Sequence, residues 1–430
     1  MVTAQERAVW VQRVVSWVDD HQAEVIADVQ ELVRVPSVSG TQEEHEIQAL
    51  LADRFRHLGI EVDHWQAPLA DLVRSPEFPG MEVERSTAWG LVGASRGLGN
   101  GPSLMLNGHV DVVPTGDLAR WPSPDPFDGR LEDGSVHGRG ACDMKGGLAA
   151  AIWAVRAVTD LAVPLSGDLL LAAVQGEEDG GMGTFALLER GWRADACVIP
   201  EPTSLDIAPA NGGSLTFRLR VPGLAAHGSL RTSGVSALEM FWPVFRALRD
   251  LEVRRNESVD PIMARWDLAY PIEVGMVRAG DWASSVPDLL VAEGRYGVAL
   301  GESVAQARAV FEDAVARACA TDPWLRVRPV EIDWWGGVFA SSRLPEGSTI
   351  ADQVSAAHAA VSGRPQQRWG APYGSDLRLM TELAGVPTVQ YGPGDPGLAH
   401  GPLEKVPVEE VLTAAKALAV LAIEHCGLTT

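Results

Sequence analysis

The sequence predicts an α/β fold: a central mixed sheet covered by helices, interrupted by a smaller inserted unit of ferredoxin-like βαββαβ order. Three observations carry this expectation. Short apolar runs alternate with amphipathic helical stretches through the first half of the chain, which is the pattern of a sheet flanked by helices. A second stretch, residues 213–335, has the order strand, helix, strand, strand, helix, strand. A length of 430 residues exceeds what one ordinary core encloses, so a second unit is expected.

Taken in order, an amphipathic helix is expected from about Ala8 to Val35, ending where Pro36 restricts the residue before it. A second helix spans about Glu43 to Leu58 and stops at Gly59. Strand-like runs follow: EVDHWQ, AWGLVGA, SLMLNGHVDVV, DLLLAAVQ and ADACVIP, with helices from Gly147 to Val158 and from Thr184. Within the inserted stretch, SLTFRLRV, YPIEVGMV, LLVAEGRYGV and VRPVEIDW read as strands. Helices are expected there at Val235–Leu251 and Ser303–Ala320. The division is therefore 1–212 with 336–430 as one domain and 213–335 as the other.

Bulk properties exclude several partners. A net charge of -22 disfavours nucleic acid and acidic membrane surfaces, whose phosphates call for a basic face. No apolar run reaches the ~18 residues of a membrane span, and MVTAQERAVW lacks the apolar core of a signal peptide. The four cysteines are scattered without a C-x-x-C pair, so neither a disulfide framework nor a thiolate zinc site is expected. These features point to a soluble cytoplasmic protein.

The chemistry concentrates where strands end. GHVDVVP places His109 and Asp111 two residues apart, on one side of a strand if the strand continues. GRGACDMKGG sets Asp143 in a glycine-rich turn that opens a helix. QGEEDGG leaves Glu177 and Glu178 adjacent after DLLLAAV, IPEPTS leaves Glu201 after ADACVIP, and LAHGPLEK places His400 after PTVQYGPG. Strand ends are where ligands bind in open α/β sheets. Any one of these acids alone reads as a solvated loop residue, but their convergence suits a hydrolytic centre of two cations. A carboxylate can bridge ions ~3.5 to 4 Å apart. Of two adjacent glutamates, one can bind metal while the other moves a proton.

In that order, GHVDVVP, GRGACDMKGG, GEEDGG, EPT and AHGPLE resemble the metal-dependent family of acetylornithine deacetylase, succinyl-diaminopimelate desuccinylase, aminoacylase and glutamate carboxypeptidase. The likeness runs over nearly the whole chain. It implies two Zn2+ or Co2+ ions per chain bridged by Asp143, one also held by His109 and Glu201, the other by Glu178 and His400. It further implies Glu177 as general base and acid, Asp111 orienting His109, and a cis bond after Asp143. The inserted domain would be a lid that dimerises, with His227 of VPGLAAHGSL reaching the partner's site to hold an oxyanion. Substrate contacts implied by the likeness are Arg295, although Ser284 stands where the family tends to have Asn, and Ser375 with Asp376 in GSDLR. The expected activity is cleavage of a small N-acyl amino acid or related N-acyl amine. A dipeptidase or carboxypeptidase and a deformylase of N-formyl aminopyrimidines are the neighbouring alternatives.

Two readings of other classes remain. GASRG fits the G-x-S-x-G pattern of serine hydrolases with Ser95 as nucleophile, but that elbow requires a helix directly after the serine, and GLGNGP reads as a loop. A binding module with a dead site would lack a ligand or the base, and all six are present.

Overall fold

Leu104–His109 forms a strand whose six residues are all buried, as expected of a parallel strand covered on both faces. In the computed structural model, which describes residues 2–429, it lies within a nine-stranded mixed sheet. Leu169–Val174 and Ala196–Ile199 flank it in parallel, and Thr388–Gln390 continues the parallel set beyond Ala196–Ile199. Ala88–Ser95 and then Glu61–Ala67 extend the other side antiparallel.

Helices cover both faces. Gly146–Asp160 and Val408–Cys426 are apolar nearly all round and buried over most of their length, the composition of helices enclosed on all sides. They share one core cluster with the N-terminal helices, while Phe185, Leu187 and Leu188 of Met182–Arg190 join Ala172 and Val174 in a second cluster. Cys142, Cys197, Cys319 and Cys426 are free and buried. Among the described residues no helix is long and apolar enough to cross a membrane.

The single helix expected over Ala8–Val35 is two helices, Ala4–Asp20 and Gln22–Arg34. His21 interrupts them with φ -111° and ψ 22°. Its ring stacks on Trp17 at 4.0 Å, and Nδ1 lies 2.7 Å from the Trp17 carbonyl, a local side-chain bond that competes with the helical ladder. Val35 is extended at ψ 112°, as the following proline requires.

Two compact units partition the chain: Ala210–Ser342 with Gly370–Ser375, and the remaining described residues. The first-named unit holds a four-stranded antiparallel sheet in the order Ile272–Ala279, Leu289–Val298, Gly213–Pro222, Glu331–Phe339. Its two helices are Ala237–Asn256 and Val304–Thr321. That strand order is the ferredoxin-like arrangement. Gly370–Ser375, which the sequence places with the larger domain, clusters here instead. Gly212 N–H donates to the Ala371 carbonyl at 2.8 Å, and Trp266 Nε1 donates to that of Gly370 at 2.7 Å.

Candidate metal centre

The carboxyl ends of the parallel strands bring the site together. His109 is the last residue of Leu104–His109, Glu177 and Glu178 follow Leu169–Val174, and Glu201 follows Ala196–Ile199. His400 follows Thr388–Gln390, and Asp143 sits in the turn before Gly146–Asp160, where the Asp143–Met144 peptide is cis. The strand expected to run on through Asp111 stops at His109. Beyond Val110 the backbone changes partners: Val112 N–H bonds to Ser37 O and Ser39 N–H to Val112 O.

Asp143 stands between two imidazoles. Its Oδ1 is 3.1 Å from His109 Nε2 and its Oδ2 is 3.3 Å from His400 Nε2. Glu201 Oε1 lies 3.9 Å from His109 Nε2, and Glu178 Oε2 lies 3.1 Å from His400 Nε2. Ligand atoms of His109, Asp143 and Glu178 fall within 4.8 Å of one another, as do those of His109, Glu177 and Glu201.

Charge is crowded here. Burial raises Glu177 well above the usual carboxylate range, with His109 opposing and Glu201, Asp376 and Glu178 adding to the rise. Glu201 is raised by burial and by Asp143. Burial works against a charged His109, yet its bond to Asp143 and the field of Glu201 and Asp111 lift it well above its ordinary value. His400 is raised to about 11, chiefly by Glu178. Four carboxylates around two imidazoles, mostly out of water, keep their charge balanced only by holding extra protons. Oxygen and nitrogen donors in this number suit a divalent cation pair.

A sequence profile of Peptidase family M20/M25/M40 matches residues 105–424. The chain belongs to this family. An N-formyl-4-amino-5-aminomethyl-2-methylpyrimidine deformylase of Bacillus subtilis is 28% identical over 95% of this chain and 96% of its own. A succinyl-diaminopimelate desuccinylase of Methylobacterium nodulans is 38% identical over 47% of this chain and 49% of its own. The crystal structure of human carnosine dipeptidase 1 superposes with a TM-score of 0.74 at 16% identity, covering 97% of this chain and 98% of that one, and so shares the fold. The M20 chain is accordingly a metal-dependent hydrolase of amide bonds.

In this M20 hydrolase Asp111 is placed differently from expectation. His109 Nδ1 lies 2.9 Å from the Asp111 backbone carbonyl, and 3.7 Å from the carboxylate. The carboxylate instead accepts from the backbone N–H groups of Glu177 and Glu178, each at 3.2 Å, and from Ser39 Oγ at 3.0 Å. One residue thus steadies the imidazole through its backbone and the glutamate pair through its side chain.

Sequence reasoning missed a second support of that loop. Arg85 donates to both oxygens of Glu44 at 3.2 Å and to Asp179 at 2.6 Å, with all three side chains at most 5% exposed. Asp179 was visible as the last acid of GEED, but nothing periodic marks Arg85 or Glu44 as its partners.

Asp376 is buried, accepts from Thr184 Oγ1 at 2.5 Å and contributes to the raised state of Glu177. Ser375, Arg295 and His227 belong to the smaller unit. Ser375 is buried, whereas Arg295 is exposed on Leu289–Val298, opposite Thr216 and Glu273. Glu293, on the same strand, pairs with Arg218 at 2.5 Å. His227 is exposed, with Nδ1 accepting from Ser229 N–H at 3.1 Å. Ser95 ends the strand Ala88–Ser95, and coil leads from it to Leu104–His109, so the helix a nucleophile elbow needs is not there.

Proposed function

We propose that the chain is a two-metal deacylase that releases a small acyl group, with formyl favoured, from an amine. The observation that carries this reading is Asp143, one oxygen toward His109 and the other toward His400. In this reading His109, Asp143 and Glu201 hold one Zn2+ or Co2+, and Asp143, Glu178 and His400 hold the other. Two relatives that match nearly the whole chain are named N-formyl-4-amino-5-aminomethyl-2-methylpyrimidine deformylases, at 26% and 28% identity, whereas the Methylobacterium nodulans desuccinylase match covers about half. That difference in coverage favours the deformylase side of the family. A reducing compartment such as the cytoplasm suits the four buried free thiols.

A cation pair held there supplies Lewis acidity to a water and to the scissile carbonyl. Glu177 takes the proton from the attacking water and returns it to the leaving amine, and its raised proton affinity suits it to both transfers. Asp111 keeps Glu177 and Glu178 in register through their backbone N–H groups. The test is amine release from N-formyl, N-acetyl and N-succinyl amines and amino acids and from unblocked dipeptides, with zinc and with cobalt. Formyl or acetyl compounds are expected to lead, and dipeptides turned over in preference to every blocked compound would overturn the deacylase reading.

The smaller unit is assigned to homodimerisation and to delivery of His227 to the partner's site as an oxyanion donor. In support, the edge strand Ile272–Ala279 exposes Met276 and Val277, and Ala237–Asn256 exposes Leu238 and Trp242. Apolar groups left in water along a free strand edge invite a second copy. His227→Ala should cost ~10² to 10³ in kcat with metal content intact. Mixing inactive Glu177→Ala with inactive His227→Ala subunits should restore part of the activity. Verified mixed dimers without recovery would place His227 outside the partner's site.

A further inference from the structure

One buried ion pair touches the backbone of two proposed ligands at once. Arg139 is 2% exposed and Glu404 1%, and Arg139 Nη1 donates to Glu404 Oε2. The other oxygen, Glu404 Oε1, accepts from three backbone N–H groups: Gly140 at 2.9 Å, Cys142 at 3.1 Å and Asp143 at 3.2 Å. The second branch of the guanidinium, Arg139 Nη2, donates to the carbonyl of His400 at 3.2 Å and to that of Pro114 at 3.4 Å. The carboxylate thus grips the loop of the bridging ligand, and the guanidinium bound to it grips the backbone of the terminal ligand.

A buried ion pair is a poor source of net stability, because desolvation offsets most of its attraction. Here its bonds go to ligand-bearing backbone on both sides. His400 also holds φ +61°, a left-handed conformation that L side chains adopt at a cost and that calls for an outside restraint. Its ring is 46% exposed, so packing restrains it little.

We propose that Arg139 and Glu404 are a positioning pair that sets the separation of Asp143 and His400, and with it the affinity for the second cation. The inference rests on the two-metal reading above. Both residues act through the backbone of the ligands, and the first ion, held in this reading by His109 and Glu201 with Asp143, is not under the control of the Arg139 branch to His400.

The experiment titrates metal-free wild type, Arg139→Lys and Arg139→Gln with Co2+ and Zn2+ by calorimetry, and follows the visible absorption of bound cobalt. Arg139→Lys keeps a cation on Glu404 and the three N–H bonds at the Asp143 loop, but loses the Nη2 bonds to the carbonyls of His400 and Pro114. Wild type should take up two ions. Arg139→Lys should bind the first as wild type does and the second about 10- to 100-fold more weakly, with an altered second-site cobalt spectrum and an unchanged melting temperature of the metal-free protein. Two ions bound by the variant with wild-type affinity would overturn the proposal. So would equal weakening of both ions together with a lower metal-free melting temperature, which is what a merely structural pair predicts. If Arg139→Lys does not fold, Arg139→Gln, which leaves the Glu404 bonds to the Asp143 loop in place, decides by the same criterion. A wild type that takes up fewer than two ions overturns the two-metal reading itself, and the proposal with it.

Discussion

Glu177→Ala loses ~10²-fold or more in kcat and keeps its metal, whereas Glu178→Ala loses metal first. The two neighbours share a loop but not an environment. Glu178 Oε2 lies 3.1 Å from His400 Nε2, where the proposed two-metal reading has it bind the second ion. Glu177 is 7% exposed, and burial pushes its carboxyl well above the usual carboxylate range, so that it holds a proton more readily than a solvated glutamate. The alternative is specific, because a Glu177 oxygen also falls within 4.8 Å of ligand atoms of His109 and Glu201 and could itself bind metal. Elemental analysis beside single-turnover kinetics separates the cases. Metal lost from Glu177→Ala and retained in Glu178→Ala would reverse the two roles.

Removing metal should have the second large effect. Chelation is expected to abolish turnover, and Zn2+ or Co2+ to restore it. Full activity in protein shown by elemental analysis to be free of metal would end the reading. Stability should follow, by about 4 kcal/mol when the free ion stands a thousandfold above its Kd. The metal-free protein carries a distinct pH signature. Glu177, Glu201, His109 and His400 all hold protons more tightly when folded than when unfolded. The folded state then binds more protons, so stability falls as pH rises. For His400 the contribution is complete below the unfolded value of about 6.5 and is lost as pH climbs through about 11. Cations bound at the proposed site would replace those protons. The gap in melting temperature between metal-loaded and metal-free protein should therefore widen from pH 6 to 9, and a gap that narrows would contradict the electrostatic picture.

Much of the site could be read from the chain because its residues lie beside strong local signals. His109, Glu177, Glu178 and Glu201 each follow an apolar run that is unmistakably a strand, and strand ends in such a sheet share one crevice. Asp143 and His400 have no comparable local signal. They became legible through the order of whole motifs, which is a resemblance and not a periodicity. Arg85, Glu44, Arg139 and Glu404 stayed silent, since a buried ion pair between residues 41 or 265 positions apart leaves no pattern in a single sequence.

By itself the sequence determined the alternation of strands and helices, the ferredoxin-like order of the inserted unit and the placing of His109, Glu177, Glu178 and Glu201 at strand ends. These are properties of neighbours in the chain, and hydrophobic periodicity records them directly. Tertiary structure alone decided that the strand ends at His109, and that the Asp111 carboxylate holds the glutamates while its carbonyl holds the imidazole. It also decided that Gly370–Ser375 clusters with the smaller unit. The physical reason is common to all three: each depends on which backbone donor or acceptor meets its partner, and such partners are chosen by proximity in space.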